Sequence, residues 1–218
     1  MKNIIVLFSG AGSNFQSIIE KLHNPKMINI CGAISNNLKA HGNNIAKDHN
    51  IPLYLIDHKK FKSLDSFNQE LSCTIDKLSP DWIVLAGFMR ILSDEIVNQY
   101  YGRIINIHPS LLPNHKGLDT HNKVIENSDL EHGTSVHFVS KQLDDGPIIS
   151  QVKFSVGKND TAKNLEKKVK LQEHFIYPKI ISWLTTDRLK LKTNTVFLDG
   201  HPLPKTGITY PETEDNFN

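Results

Sequence analysis

Short apolar segments alternate with stretches of helical periodicity in the first half of the chain, and this alternation limits the possible folds most strongly. The periodic stretches place apolar side chains three or four residues apart, which predicts helices over residues 14–22, 40–49, 61–78 and 94–100. The other segments are apolar on both faces, which predicts buried strands over residues 4–8, 28–35, 53–56, 82–86 and 104–107. Such strands, alternating with helices, indicate a mostly parallel sheet covered on both sides. The sequence therefore predicts a doubly wound α/β fold.

The second half of the chain predicts fewer elements. Two strands are expected over residues 134–139 and 148–156, joined through a Gly-Pro turn, and one long helix over residues 161–184 with Thr161 as its N-cap. The α/β domain is accordingly expected to span residues 1–184. Residues 185–218 are expected to form a small C-terminal appendage, with a hairpin around Asp199-Gly200 and then an acidic, disordered tail over residues 211–218.

Composition and charge exclude several classes of protein. The 218 residues are 39% hydrophobic and 22% charged, which excludes a collagen, a largely disordered chain and a disulfide-rich scaffold. With 25 Lys and Arg against 23 Asp and Glu, the chain lacks the strongly basic character of a nucleic-acid-binding protein. The N-terminal apolar segment is too short for a signal sequence or a membrane span, and Cys31 and Cys73 lack metal-ligand spacing, so we expect a reduced, cytoplasmic protein. The 11 histidines form no convincing ligand set either, so no metal is expected.

The turn after the first predicted strand is a candidate anion site. It reads Ser9-Gly10-Ala11-Gly12-Ser13-Asn14 and opens the first helix, where backbone N–H groups face outward and glycines allow a ligand to approach closely. A dinucleotide fits poorly, because Phe15 stands where the third glycine of GxGxxG would fall and no ribose-binding acid follows. The turn therefore predicts a site for the terminal phosphate of a smaller molecule. A tight turn with an Asn or Ser cap is the structural alternative.

A polar pair ends the fifth predicted strand. Asn106 and His108 are two residues apart, so their side chains point to the same face of the strand, and Pro109 ends it. They lie at the carboxyl end of a parallel strand, where open α/β sheets bind ligands. Asp144 lies in the turn between the two later strands, and a carboxylate next to His108 would favour the charged imidazolium. Asn106 and an imidazolium could then donate to a developing oxyanion. Sequence alone does not bring Asp144 to His108, and a capping Asn with a core His is the alternative.

Several motifs closely resemble those of the phosphoribosylglycinamide formyltransferase family, in order and with the expected spacing, from residue 1 to about residue 205. They are the first turn, Val84-Leu85-Ala86-Gly87-Phe88-Met89-Arg90-Ile91-Leu92, Ile105-Asn106-Ile107-His108-Pro109-Ser110-Leu111-Leu112-Pro113, His132-Gly133-Thr134-Ser135-Val136-His137-Phe138, Leu143-Asp144-Asp145-Gly146-Pro147 and Gln172-Glu173-His174. The resemblance implies a Rossmann-like formyltransferase fold. The first turn and Gln-Glu-His point to the glycinamide ribonucleotide enzyme more narrowly than the other motifs do.

The resemblance also implies a reaction and residue roles. The amine of glycinamide ribonucleotide would attack the formyl carbon of 10-formyltetrahydrofolate directly, in purine biosynthesis, with the folate as co-substrate and without a metal. Asn106 and protonated His108 would stabilise the tetrahedral oxyanion, and Asp144 would keep His108 charged and assist proton transfer. The ribonucleotide is expected to contact Gly12, Ser13, Asn14, Asn106 and Glu173.

The folate is expected to contact two segments, the first in the N-terminal half and the second in the C-terminal half. These contain Met89, Arg90, Ile91 and Leu92, and Ser140, Lys141, Gln142, Leu143 and Asp144. Leu64 replaces an arginine that contacts folate in some relatives, so the resemblance gives no contact for the glutamate tail. Asp119 replaces a histidine of some relatives and is given no role. His121 either closes over the site or is a surface residue of its loop.

Two other functions remain open. A 10-formyltetrahydrofolate hydrolase would use the same Asn, His and Asp with water as the nucleophile, and a non-catalytic nucleotide-phosphate sensor would need only the first turn. Because the chain begins at its first strand, we expect no N-terminal regulatory domain, which such hydrolases usually have. We also expect no C-terminal domain of the kind found in formyltransferases that act on initiator tRNA. The expected partners are the ribonucleotide and the folate, with no nucleic acid and no membrane, in a monomer or homodimer.

Overall fold

The computed structural model describes residues 1–23 and 28–213 and divides into two compact units, residues 1–105 and residues 106–218. Most of the predicted acidic tail, residues 214–218, lies outside the described residues. The predicted domain boundary after residue 184 stays a prediction.

The first unit is built on parallel strands in the order β4-β1-β2-β3. Residues 4–8 of the central strand are fully buried, as expected for a parallel strand that is covered on both faces. The strands are β1 (Lys2–Phe8), β2 (Ile28–Ser35), β3 (Leu53–Leu55) and β4 (Trp82–Leu85). The helices are α1 (Ser13–Leu22), α2 (Gly42–Asp48), α3 (Leu64–Leu78), α4 (Asp94–Gln99) and a 3-10 turn (His58–Lys60). All the strands and helices predicted here are present, with ends that differ by a few residues.

The second unit places its main strands in the order β5-β6-β7-β11, with β6 and β7 antiparallel and β7 and β11 parallel. A separate antiparallel sheet has the order β10-β9-β8. The strands are β5 (Ile104–His108), which begins in the first unit, β6 (Glu131–Phe138), β7 (Ile148–Ser155), β8 (Leu189–Lys192), β9 (Thr195–Leu198), β10 (His201–Pro202) and β11 (Ile208–Pro211). The helices are α5 (Thr120–Glu126) and α6 (Ala162–Thr185). The Thr161 side chain caps α6 by accepting from the backbone N–H of Asn164, as predicted.

The fold class is confirmed, namely an α/β fold with a mostly parallel sheet and a small C-terminal appendage. The expected hairpin around Asp199-Gly200 is present between β9 and β10. Two features have no counterpart among the predictions, namely helix α5 and a second hairpin turn between β8 and β9. Thr193 and Asn194 form the first turn and Asp199 and Gly200 the second, all with positive φ as in two-residue hairpin loops.

The C-terminal segment is also more ordered than expected, because it returns to the main sheet as β11. Gly207 permits this return, since a Cβ on it would lie 2.4 Å from the backbone carbonyl of Ile149. The Ser150 hydroxyl then donates to the carbonyl of Ile208 at 2.7 Å. Beyond β11, the Gln172 amide both donates to and accepts from the Thr213 backbone. Gln172 of the Gln-Glu-His motif therefore anchors Thr213, two residues after β11.

Candidate active site

The first turn, residues 9–14 of the first unit, presents backbone groups at the start of α1. Gly12 is the N-cap of α1 with φ of +79°, and it is buried against α2 so closely that a Cβ would lie 2.7 Å from Gly42 Cα. Ser13 and Asn14 follow as half-buried residues in the first helical turn, which carries no acidic side chain to compete with an anion. The carbonyl of Gly12 accepts the first helical hydrogen bond, from Gln16 N–H at 2.8 Å. The local geometry is thus that of a helix N-terminus with an approachable backbone.

Ser9 connects this turn to the first predicted folate segment. Its hydroxyl accepts from the backbone N–H of Met89 at 2.8 Å and donates to the Asn36 Oδ1 at 2.6 Å. Asn37 donates its side-chain amide to the Ser9 carbonyl at 3.0 Å. Asn36 and Asn37 therefore fix the turn through Ser9. Within the folate segment, Met89, Arg90 and Ile91 are exposed and Leu92 is buried.

The second unit brings Asn106, His108 and Asp144 together. The Nδ1 of His108 lies 3.4 Å from Asp144 Oδ2, and the Nδ2 of Asn106 lies 3.5 Å from Asp144 Oδ1. The other ring nitrogen of His108, Nε2, donates to the backbone carbonyl of His115 at 2.9 Å. Both nitrogens of His108 therefore face oxygen atoms that can accept hydrogen bonds. The backbone N–H of Gly117 completes the cluster by donating to Asp144 Oδ2 at 2.9 Å.

His137 determines how the Asn106 amide is oriented. Burial is the main cause that lowers the pKa of His137, to about 4, so its ring is neutral at pH 7. Its Nδ1 donates to the carbonyl of Phe138 at 2.9 Å, which leaves Nε2 as an acceptor. Asn106 Nδ2 donates to this Nε2 at 3.2 Å. The Nε2 of His137 is also 3.7 Å from Asp144 Oδ1, but two acceptors face each other there and form no ion pair. The amide nitrogen of Asn106 is therefore the group that points to Asp144.

The exit of β5 is held by side chains of β6 and β7. The Ser135 hydroxyl donates to the carbonyl of Ser110 at 2.7 Å and accepts from the backbone N–H of Leu112 at 3.0 Å. Gln151 donates to the carbonyl of Leu112 and to the Ser135 hydroxyl, both at 2.8 Å. These groups are buried, so the hydrogen bonds fix the path of the chain directly after His108.

The turn that carries Asp144 is fixed by the packing of its backbone. Asp144 has φ of +48°, and Gly146 lies so close to β6 that a Cβ would be 1.8 Å from the carbonyl oxygen of Phe138. The backbone N–H of Phe138 donates to Pro147 O at 2.9 Å and closes the turn. The register of β6 and β7 shifts at His137, and such irregularities commonly redirect side chains beside active sites.

The remaining candidates lie on several elements of the second unit. Glu173 is buried on α6, and its charge adds to burial in raising the pKa of Tyr177 well above its ordinary value. Ser140 donates to the Gln142 carbonyl, and Lys141, Gln142 and Leu143 are exposed. His121 is a half-buried residue of α5, and its Nδ1 is 2.9 Å from Nε2 of the buried His132, so it does not lie in a surface loop.

Sequence reasoning missed the backbone groups that complete the site. The carbonyl of His115 and the N–H of Gly117 contact His108 and Asp144, yet a backbone contact leaves no signal in residue type. Gly117 has a φ of +77°, and its residue type indicates a turn but not the contact with Asp144. Within residues 1–23 and 28–213, no group of three or more His, Cys, Asp or Glu is arranged to hold a metal ion. Over the same residues, no helix combines the length and apolar character needed to cross a membrane.

Comparisons with known proteins match this geometry to one family. The formyl transferase family model matches residues 2–181. The phosphoribosylglycinamide formyltransferase of Escherichia coli (strain K12) is 46% identical over 211 residues, which cover 96% of this chain and 100% of that protein. The Haemophilus influenzae protein of the same name is 41% identical over 208 residues, covering 95% and 98%.

A solved structure extends the likeness to three dimensions. The phosphoribosylglycinamide formyltransferase of Coxiella burnetii superimposes with a TM-score of 0.91 at 45% identity, covering 96% of this chain and 99% of that one. Sequence and structure thus agree over nearly the full length of both chains. The chain therefore belongs to the formyl transferase family and, within it, to the phosphoribosylglycinamide formyltransferases.

Proposed function

We propose that the chain transfers the formyl group of 10-formyltetrahydrofolate to the amine of glycinamide ribonucleotide in purine biosynthesis, with Asn106, His108 and Asp144 as its catalytic residues. The enzyme class follows from the family, since relatives at 41–46% identity over nearly the full length are formyltransferases of this name. The observation that carries the residue roles is the contact of Asp144 with both His108, at 3.4 Å, and Asn106, at 3.5 Å.

The chemistry needs a proton donor and a proton acceptor beside the reacting carbon. The amine nitrogen attacks the formyl carbon, the C=O bond becomes a C–O⁻ single bond, and the nitrogen acquires a positive charge. Collapse of this intermediate breaks the bond to N10 of the folate, which takes up a proton while the new amide loses one. Hydrogen-bond donors aimed at the oxyanion lower the barrier because the charge develops only in the transition state.

Two donors in the cluster suit this role. Asn106 Nδ2 and His108 Nδ1 reach Asp144 only over 3.5 and 3.4 Å, which is long for a hydrogen bond to a carboxylate. A better-placed oxyanion can therefore replace these contacts at little cost. Asp144 has a second role in the proposal, since a carboxylate beside the ring favours the imidazolium and can relay the proton that the amine loses.

The binding residues are proposed on the same basis. Gly12, Ser13 and Asn14 would bind the phosphate through the helix N-terminus, and Glu173 the ribose. The folate would contact the exposed side chains of the first segment and residues 140–144 of the second. Leu92 is buried, so only its backbone would contact the folate. Unpaired Cys31 and Cys73 support the proposed cytoplasmic location. A monomer or homodimer stays a prediction.

The test is the dependence of folate turnover on the acceptor. Purified protein with 10-formyltetrahydrofolate should release tetrahydrofolate when glycinamide ribonucleotide is added, and the ribonucleotide should gain the formyl group. Release of formate at the same rate without the ribonucleotide would indicate a hydrolase. Binding of the ribonucleotide without any turnover would indicate a sensor. An Asp144→Asn variant should retain ribonucleotide binding and lose turnover.

A further inference from the structure

Two residues of the loop segment 115–117, His115 and Gly117, contact His108 and Asp144 through the backbone. The carbonyl of His115 accepts from His108 Nε2, and the N–H of Gly117 donates to Asp144 Oδ2, each at 2.9 Å. These residues belong to neither a helix nor a strand, so no regular hydrogen-bond ladder fixes their path. The orientation of the imidazole and the carboxylate therefore depends on whatever holds this loop segment in place.

Two side chains of the loop segment, those of His115 and Lys116, contact carboxylates. The ring Nε2 of His115 lies 2.5 Å from Asp129 Oδ2, just before β6. Lys116 Nζ pairs with the carboxylate of Asp145, the residue directly after Asp144. The His115 ring is mostly buried, whereas the Lys116 pair is exposed.

His115 adopts a backbone conformation that needs such support. Its φ is +53°, in the left-handed region that a residue with a Cβ seldom occupies. Besides the ring contact with Asp129 and the contact with His108 itself, only a long contact from the Ser110 hydroxyl to the His115 carbonyl, at 3.4 Å, holds this residue within the described part of the chain. Loss of the Asp129 contact is therefore expected to let the carbonyl turn away from His108. The pair at Lys116 acts on the other contact, because Asp145 holds the loop next to Asp144 and so brings in the N–H of Gly117.

We propose that His115, Asp129, Lys116 and Asp145 are positioning residues for formyl transfer, which hold residues 115–117 against His108 and Asp144. An exposed ion pair such as that of Lys116 with Asp145 contributes little to the stability of a whole fold. A loop outside regular structure can have two conformations of similar free energy. One such ion pair then changes the ratio of their populations by a few fold. For Lys116 and Asp145, the effect is therefore expected on the chemical step and not on folding. The kinetic part of this inference rests on the proposed catalytic roles.

The kinetic test compares variants that remove each pair with one that restores it. Asp145→Asn, Lys116→Gln and Asp129→Asn should each lower kcat by about three- to fivefold, with the KM of either substrate changed by less than about twofold. The exchanged pair, Lys116→Asp with Asp145→Lys, should recover most of the lost kcat. The matched control is Glu131→Gln, which removes the equally exposed pair with Lys153 at the start of β6 and should leave kcat unchanged.

A spectroscopic test reads His108 without turnover. In protein labelled with ¹⁵N at histidine, the Nε2–H signal of His108 should exchange slowly with water in the parent and faster in Asp145→Asn and Asp129→Asn. This readout needs no substrate, so it stays decisive even if the proposed reaction is wrong. Unchanged exchange in both variants would overturn the positioning role. So would an equal fall of kcat in Glu131→Gln, or a rise of KM alone, which would make these residues substrate contacts.

Discussion

The first turn of the first unit and the cluster around His108 in the second unit use different chemical groups. The first turn offers backbone, since Gly12 has no side chain and its φ of +79° leads directly into the helix N-terminus. The cluster offers side chains from β5 and from the turn before β7, with Asp144 in contact with both Asn106 and His108. A backbone site is damaged by adding an atom, whereas a side-chain site is damaged by removing one. Replacement by alanine should therefore affect different quantities in the two regions, namely the KM of the ribonucleotide at Gly12 and kcat at His108.

The largest effect is expected at the side-chain cluster. His108→Ala removes a proposed oxyanion donor and the partner of Asp144, so kcat should fall about 10³-fold, within the range for loss of an oxyanion donor or an acid–base group. Binding of the ribonucleotide should survive, because the proposed phosphate contacts are in the first turn. Steady-state kinetics and calorimetric titration with the ribonucleotide measure the two quantities.

His201→Ala is the matched control for this variant, since His201 is an exposed histidine of the same unit, on β10. Its kcat should equal that of the parent. Turnover that persists in His108→Ala within about threefold of the parent would contradict the catalytic role of the cluster.

A second effect, on stability, comes from the buried histidines near the cluster. Burial is the main cause that lowers the pKa of His132 from 6.5 to about 4, with nearby histidines adding to it. The unfolded chain therefore binds a proton between pH 6.5 and 4 that the folded chain does not. Stability is complete above pH 6.5 and is lost as the pH falls toward 4, by about 3 kcal/mol for this residue.

His132→Phe should reduce this acid-dependent loss, because phenylalanine keeps the ring packed against Phe154 and takes up no proton. Urea unfolding at pH values from 7.5 to 4.5 would measure how the free energy of unfolding changes with pH. At pH 7.5 the variant should be about 1 kcal/mol less stable, since the contact with His121 is lost. Part of the pH dependence of stability should remain in the variant, because burial lowers the pKa of His137 as well. Identical slopes in the variant and the parent would contradict the neutral state of His132.

The two regions also differ in how far the sequence predicts them. The first turn is local, so the spacing of Gly12 after a buried strand and before a helix was enough to place it on a βα turn. Asn106 and His108 could be paired from the two-residue period of a strand. Asp144 lies 36 residues after His108 in the chain, and only the pairing of β6 with β7 and the close approach of Gly146 to Phe138 bring it there.

The parts that sequence reasoning did not predict are those fixed by contacts between distant segments. His115 contributes a carbonyl to the site, and any residue type has a carbonyl, so its identity gives no signal. Strand β11 pairs with β7 because Gly207 fits against Ile149, a contact across 58 residues that no periodicity predicts. The acidic tail expected over residues 211–218 overlaps this strand at Pro211 only.

The smallest effect is expected at the backbone site. Gly12→Ala adds a methyl group 2.7 Å from Gly42 Cα at a positive φ, so the turn must shift away from α2. The free energy of unfolding should fall by about 2 kcal/mol, and the KM of the ribonucleotide should rise about tenfold. Because the His108 cluster keeps all its atoms, kcat should change by less than about threefold, the reverse of the result for His108→Ala.

Gly10→Ala is the control that separates this effect from general damage to the turn. At Gly10, no heavy atom of the described residues lies within 4 Å of the added Cβ, apart from the neighbouring residues of the chain. The same methyl group two residues earlier should therefore cost little stability and leave kcat unchanged. If both variants raise KM equally, crowding of the ligand and not the packing of Gly12 limits the site. If Gly12→Ala lowers kcat as strongly as His108→Ala does, the first turn does more than bind, and the division between a binding backbone and catalytic side chains fails.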